Sequence, residues 1–359
     1  MKYLDNDLKI TSFPIDTGCG CHTHETQGRT VSSVGRNIQV LFLVSALLMV
    51  AFHPRSEQFI TFSIIFSSIV LEAFPFMLLG TLLGGFIEIF LSRERLINIL
   101  PKKKHDAIVL AALLGIIFPV CECAIVPVVR KFLNKGMPLG SAVAFLLAGP
   151  IVNPLVFAST YVAYSFNFKI AVLRSLAGFF IAVIVGLIID SCLSKTQTLI
   201  ETTPVHTCNL CNDNGDIKNL SLRRKVFAAF QHGAADFYDI GRFLIMGAFI
   251  AAALQTFVSR QVFTSVMAGP VTAIISMMVL AVALNLCSEA DAFIASSFQS
   301  SGVPLSAQLA FMVLGPMLDI KLIMMYLSVF TKRMIITLSS LVIFSVFLAM
   351  LFLEVSGWL

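Results

Sequence analysis

Cys121, Glu122 and Cys123 stand between Pro119 and Pro127 in the stretch FPVCECAIVPVVRKF, residues 118–132. A third thiol, Cys287, opens CSEADAF, with Glu289 and Asp291 close behind. Both stretches lie in a chain that otherwise reads as membrane. Thiolates are soft ligands that suit zinc, copper(I) and trivalent metalloids. The Cys-x-Cys spacing lets two sulfurs approach one ion when the backbone is extended. Intramembrane carboxylates are rare and usually mark an ion or proton path. Cys121, Cys123 and Cys287 are therefore candidate thiol ligands, and Glu122, Glu289 and Asp291 candidate proton or cation sites. The alternatives are plain. Free cysteine is also a small hydrophobe, and carboxylates in a wet tip are ordinary polar residues.

Two Gly-Pro pairs, at 149–150 and 315–316, each precede a polar residue, Asn153 and Asp319. They read as helix breaks whose freed carbonyls could coordinate a cation or a substrate group, or as simple kinks. Asp319 and Lys321 share a span and can pair with each other or with another carboxylate. Of the two acids in the second span, Glu88 falls near an interface and Glu72 is the better pathway candidate. Separately, GCGCHTH (18–24) supplies Cys19, Cys21, His22 and His24, and HTCNLC (206–211) supplies His206, Cys208 and Cys211. Both segments are polar and carry Cys and His at metal-ligand spacing. They are candidates for holding one soft metal ion or passing it on, against a stray cluster in a polar tail.

The elements that position these groups must be membrane helices. Of 359 residues, 57% are hydrophobic and 13% charged, against about 25% charged in a soluble domain. The formal charge of +5 sits mostly in short segments between apolar runs, as orientation signals do, and does not point to nucleic acid. The eight cysteines fit reduced, metal-binding thiols better than a disulfide framework. The first apolar run follows a polar N-terminal stretch and reads as a retained span rather than a cleaved signal. No nucleotide-binding loop of the type G-x-x-x-x-G-K-[ST] is present, and no soluble catalytic domain fits, so an enzyme is not expected.

A span needs roughly 20 residues. Runs at 37–52, 59–91, 140–163, 168–191, 235–258, 305–330 and 334–355 qualify or nearly do, while 107–134 and 268–301 begin apolar and turn polar. The expected organisation is a cytoplasmic Cys/His-containing tail (1–36), a first transmembrane half (37–192), a cytoplasmic linker (193–231) and a second half (232–359). A constant offset of 166 pairs Cys121 with Cys287, Gly136 with Gly302, Pro138 with Pro304, Phe145 with Phe311, and Gly149-Pro150 with Gly315-Pro316. Shared Cys, Gly and Pro in one register imply duplication. Interrupted segments at matching positions of two halves are where transporters form a site near the midplane.

The positive-inside rule arbitrates the direction of the repeat. If 107–134 crosses fully, Arg130, Lys131 and Lys135 fall opposite the basic loop 92–105. If it enters and returns, these residues, Arg223–Lys225 and 331–333 all share its side, leaving only Arg55, Lys169 and Arg260 outside. The expectation is an all-α polytopic protein of two inverted repeats, with seven crossings, two re-entrant segments and helices broken at Pro119 and Pro127. The tips carrying Cys121–Cys123 and Cys287–Glu289 would meet across the pseudo-twofold axis.

The block FPVCECAIVPVVRKFLNKGMPLGSAVAFLLAGPIVNPLV, with LGPMLDIKL in the second half, resembles the ArsP-type predicted permeases of bacterial inner membranes. The resemblance covers most of the chain from about residue 59. It implies a multi-pass permease of a bacterial plasma membrane, with Cys121 and Cys123 as motif cysteines. Members of that family include exporters of trivalent organoarsenicals, relatives are linked to efflux of thiophilic metals, and many have no assigned substrate, so the resemblance does not fix the cargo. The Cys/His-rich tail and linker, outside the family's core pattern, tilt the expectation toward a soft metal or metalloid. The resulting expectation is secondary efflux of a soft metal or metalloid species, an inorganic or organometalloid solute. The alternatives are a permease for another small solute with structural cysteines, or a membrane metal sensor or scaffold. The bilayer is the expected partner, and the sequence leaves homo-oligomerisation open.

Overall fold

The computed structural model describes residues 57–91, 101, 103–117, 120–193, 222–257 and 269–357. The Cys/His segments at 18–24 and 206–211, and the apolar run at 37–52, lie outside them.

The first half comprises α1 (Glu57–Phe90), α2 (Lys104–Ile117), α3 (Glu122–Asn134), α4 (Leu139–Ala148), α5 (Pro154–Ala163) and α6 (Phe168–Cys192). The second comprises α7 (Leu222–Phe257), α8 (Pro270–Leu284), α9 (Asp291–Ser297) with a 3-10 turn to Ser301, α10 (Leu305–Met317), α11 (Ile320–Tyr326) and α12 (Lys332–Ser356). No strand occurs among the described residues. Five stretches are long and apolar enough to cross a membrane: α1, α6, α7, the α10–α11 run Leu305–Tyr326, and α12. Their outward faces carry exposed Ile64, Leu71, Phe180, Phe344 and Phe352, as expected where the solvent is lipid. The core is built from the short elements. Every residue of α4 is buried, as is nearly every residue of α3 and α10.

At ~1.5 Å per residue, α2 and α3 rise only ~20 Å each, too short for a ~30 Å hydrocarbon core. Close glycine contacts give their directions. Gly80 and Gly84 of α1 lie against Ala124 and Pro127 of α3, so those two helices run parallel. Gly115 of α2 meets Gly149, and Ile108 meets Gly140, so α2 runs parallel to α4. Lys104, at the start of α2, pairs with Asp190 near the end of α6 at 3.4 Å, and Gly140 lies against the same Asp190. A short turn, with Gly136 at φ +100°, joins the end of α3 to the start of α4. The chain thus enters with α2 and returns with α3 to the same end. At Gly80 an added Cβ would sit 2.5 Å from the Ala124 carbonyl oxygen, so only glycine permits this approach of α1 and α3.

In the second half α8, α10 and α11 begin 166 residues after α2, α4 and α5, and Gly302 (φ +74°) stands where Gly136 does. The hydroxyl of Tyr164, at the end of α5, donates to Gln308 Oε1 in the first turn of α10 at 2.8 Å. The end of the first broken helix therefore meets the start of the second.

Three local expectations are corrected. Pro127 does not break its helix: α3 continues to Asn134. A proline early in a helix removes one bond, here to the Cys123 carbonyl, and the tight packing of both α3 faces holds the rest. The Gly315-Pro316 pair likewise lies inside α10, and the break follows at Leu318–Asp319. The linker expected to run to residue 231 is helical from Leu222, because Ala229 and Gly233 pack on Gly85 and Leu82 of α1.

Candidate functional site

Glu122 is the first residue of α3, 1% exposed. A carboxylate there faces the positive end of the helix dipole. Its two oxygens take partners from the second half. Ser288 Oγ lies 3.1 Å from Glu122 Oε2, and Lys321 Nζ lies 3.3 Å from Glu122 Oε1. Ser288 is the residue 166 positions after Glu122, so a position touches its own counterpart. Ser288 Oγ is also 3.3 Å from Glu289 Oε2, and its single proton serves one carboxylate at a time.

Lys321 sits in the first turn of α11. Its backbone N–H donates to Asn285 Oδ1 at 2.9 Å, and Asn285 adopts a left-handed conformation (φ +47°) at the end of α8. Asp319 caps α11, accepting from the Leu322 N–H at 2.5 Å, while its Oδ2 lies 3.6 Å from Lys321 Nζ. Asn153 caps α5 in the same way through Leu155 N–H. Asn153 Nδ2 and Asp319 Oδ2 are both buried without a hydrogen bond. The two interrupted helices thus leave one orphan donor and one orphan acceptor at equivalent positions.

A narrow recess of about 10 Å³, room for roughly one water molecule, is lined by Cys121, Glu122, Cys123, Cys287, Glu289 and Lys321, and by Glu72 with its α1 neighbours Ile69, Ala73 and Phe76. Residues of the two tips and Glu72 thus line one space. The three thiols line this space but do not converge: among the described residues no cluster of three or more His, Cys, Asp or Glu side chains is placed to hold a metal ion. Glu72 itself is exposed midway along α1.

The other predicted residues lie elsewhere. Asp291 does not face the recess; Arg174 NH2 of α6 grips both its oxygens at 2.8 and 2.9 Å and also donates to the Ser288 carbonyl at 3.0 Å. Arg174 NH1 donates to Thr160 Oγ1 at 2.7 Å. Pro127 packs against Gly84, and Asn153 and Asp319 cap α5 and α11 at the helix breaks without lining the recess. Glu88 belongs to a different cluster, bonding Lys131, which reaches Asp236 at 2.6 Å; Arg130 faces Asp236 and Asp239 at 3.8 Å. Sequence reasoning passed over Arg174 and Asn285. A lone arginine inside an apolar span was the available signal for the first.

Residues 58–355 match a family model described as a predicted permease. The chain is 38% identical over 287 residues to UPF0718 protein YcgR of Bacillus subtilis, covering 80% of this chain and 95% of the relative. It is 38% identical over 273 residues to a protein of Streptococcus mutans named a putative two-component membrane permease complex subunit, covering 76% and 88%. It is 25% identical over 120 residues to UPF0718 protein YraQ of Escherichia coli, about a third of each chain. No solved structure matches.

Proposed function

The chain belongs to the ArsP-type predicted permease family, and from that premise we propose that it is a secondary permease exporting a soft metal or metalloid species across a bacterial plasma membrane. One observation carries the reading: thiols from both halves, Cys121, Cys123 and Cys287, line a single recess beside Glu122, Glu289 and Lys321. Sulfur selects soft cargo, and the carboxylates set its charge. The thiols line the recess without converging on one point, and cargo draws them together as it binds. Loose, adjustable ligation suits a site that must also release.

The halves act as an inverted duplication. The common offset of the helix starts, the contact of Glu122 with Ser288, and the meeting of the α5 end with the α10 start support this arrangement. Rocking of one half against the other would then expose the recess alternately. The exposed Glu72 and the complex-subunit name of the S. mutans relative support operation with a second membrane component. A metal held by Cys19, Cys21, His22, His24, His206, Cys208 and Cys211 would be a delivery point for the same cargo.

The test is growth protection and vesicle flux with a panel of trivalent arsenicals and soft metal ions. A Cys121→Ser/Cys123→Ser variant expressed at the normal level should lose protection and transport of the cargo that wild type exports. Equal protection by that variant refutes the thiol-ligand reading.

A further inference from the structure

We propose that the charge cluster of Glu88, Arg130, Lys131, Lys135, Asp236 and Asp239 is the gate that closes the recess on the side where α2 enters and α3 returns. The proposal rests on the permease reading, since a gate has meaning only where something passes. Its test reads access to the tip thiols without any cargo, so its failure is distinct from a failure of the soft-cargo reading.

The cluster ties one tip helix to two spans. Lys131 of α3, 7% exposed, bonds Glu88 of α1 and lies 2.6 Å from Asp236 of α7. Lys135, one turn on, donates to the Glu88 carbonyl at 2.7 Å. Arg130 stands 3.8 Å from both Asp236 and Asp239, and His232 Nδ1 lies 3.6 Å from Glu88. The spans α1 and α7 form a single wall, joined by the edge-to-face ring pairs Phe62–Phe249, Phe74–Phe237 and Phe86–Phe230 at 5.1, 5.0 and 5.9 Å. Three cations at the end of α3 therefore close on three anions of that wall. Lys131 follows Glu122 by nine residues, ~14 Å along the helix, so the cluster lies between the recess and the end to which α3 returns.

The second tip lacks this lock. The offset of 166 carries Arg130, Lys131 and Lys135 onto Ser296, Ser297 and Ser301. Along the preceding spans the offset is 167, pairing Phe76 with Phe243 and Gly80 with Gly247. It carries Glu88 onto Gln255, and Asp236 and Asp239 back onto Ile69 and Glu72. Six charges become one. The packing differs in the same sense. Gly80 lies on Ala124 of α3, whereas its counterpart Gly247 lies on Lys321 of α11 and not on α9. Phe293 of α9 stays half exposed, and Glu72 is exposed as well. One tip is thus bound to the α1–α7 wall by ions and the other is not. A duplicated permease closed at one end needs a hold there that the other end lacks. Partly solvated ion pairs suit it, being weak enough singly to part and re-form. Their release frees α3 from the wall and lets the recess communicate with that side, which the basic loops place in the cytoplasm.

The full-length protein in membrane vesicles of known orientation tests this, with Cys19, Cys21, Cys192, Cys208 and Cys211 replaced by serine so that the tip thiols are the ones that react. An impermeant methanethiosulfonate is applied from each face, and the rate of thiol modification is read by mass. Protein with the cluster intact should react slowly from the face of the α3–α4 turn. Lys131→Met should raise that rate at least about 10-fold, because the population moves to a state open on that side. The rate from the other face should stay unchanged or fall. Asp239→Asn removes one tie at a side chain 41% exposed and should raise the rate about 3-fold. If Lys131→Met does not accumulate, Asp239→Asn decides by itself. The proposal is overturned if neither variant raises the rate from the α3–α4 face, or if the intact cluster already permits fast modification there. A rise of equal size from both faces also overturns it, since general loosening of the fold gives that result.

Discussion

Removing Arg174 offers the sharpest test of what holds the second tip in place. Arg174 and Asp291 are 1% and 2% exposed, with both carboxylate oxygens within 2.9 Å of one guanidinium nitrogen. Breaking a buried pair by deleting one partner costs about 3–5 kcal/mol, because a charge is left uncompensated. Arg174→Met also strips the Ser288 carbonyl of a donor, and an unsatisfied buried acceptor adds about 1–3 kcal/mol. The expected loss is therefore near the top of the first range, about 5 kcal/mol. Asp291→Leu should cost about 3–4 kcal/mol by the same reasoning. The double variant Arg174→Met/Asp291→Leu removes both charges and should lie within about 2 kcal/mol of wild type, since an apolar replacement of a buried pair is often close to neutral. Equilibrium unfolding in mixed micelles, followed by circular dichroism, gives the four free energies and a coupling of about 6 kcal/mol. Additive losses in the double variant, or an Arg174→Met variant as stable as wild type, would refute the assignment of this pair as the pin.

Two other outcomes follow from the fold. Gly80→Leu should destabilise the protein by about 3 kcal/mol or prevent its accumulation, since even a Cβ there would stand 2.5 Å from backbone oxygen of α3; a well-expressed, stable variant would show that α1 and α3 are not in register. Cysteines introduced singly at Lys135 and Ser165, in a background with Cys19, Cys21, Cys192, Cys208 and Cys211 replaced by serine, should be labelled by an impermeant thiol reagent from opposite faces of the membrane. Labelling of both from one face would mean that α2 and α3 do not form an entering and returning pair.

The sequence carried the class of the protein with little ambiguity, because bilayer thickness dictates the length of apolar runs and composition alone separates them from soluble helices. It also carried the positions of both tips, since Cys121 and Cys287, Gly136 and Gly302, and Asn153 and Asp319 recur at one offset. The short proline- and glycine-flanked segments signalled interrupted helices, and charge placement signalled the return of 107–134. Local rules failed where packing outweighed propensity. Pro127 stayed inside α3 because nearly every residue of that helix is buried, and residues 222–231 became helix because small residues there lie on α1.

Only the tertiary structure decided which charge meets which. Glu122 and Lys321 are 199 residues apart, and Arg174 and Asp291 are 117 apart. Nothing local distinguishes Asp291, gripped by a guanidinium, from Glu289, facing the recess. Helical and strand periodicities report which side of an element is buried, not which distant element covers it. In a low-dielectric core a carboxylate depends on the partner that covers it, and so the pairing of Arg174 with Asp291 and of Lys321 with Glu122 emerges only when distant elements pack together.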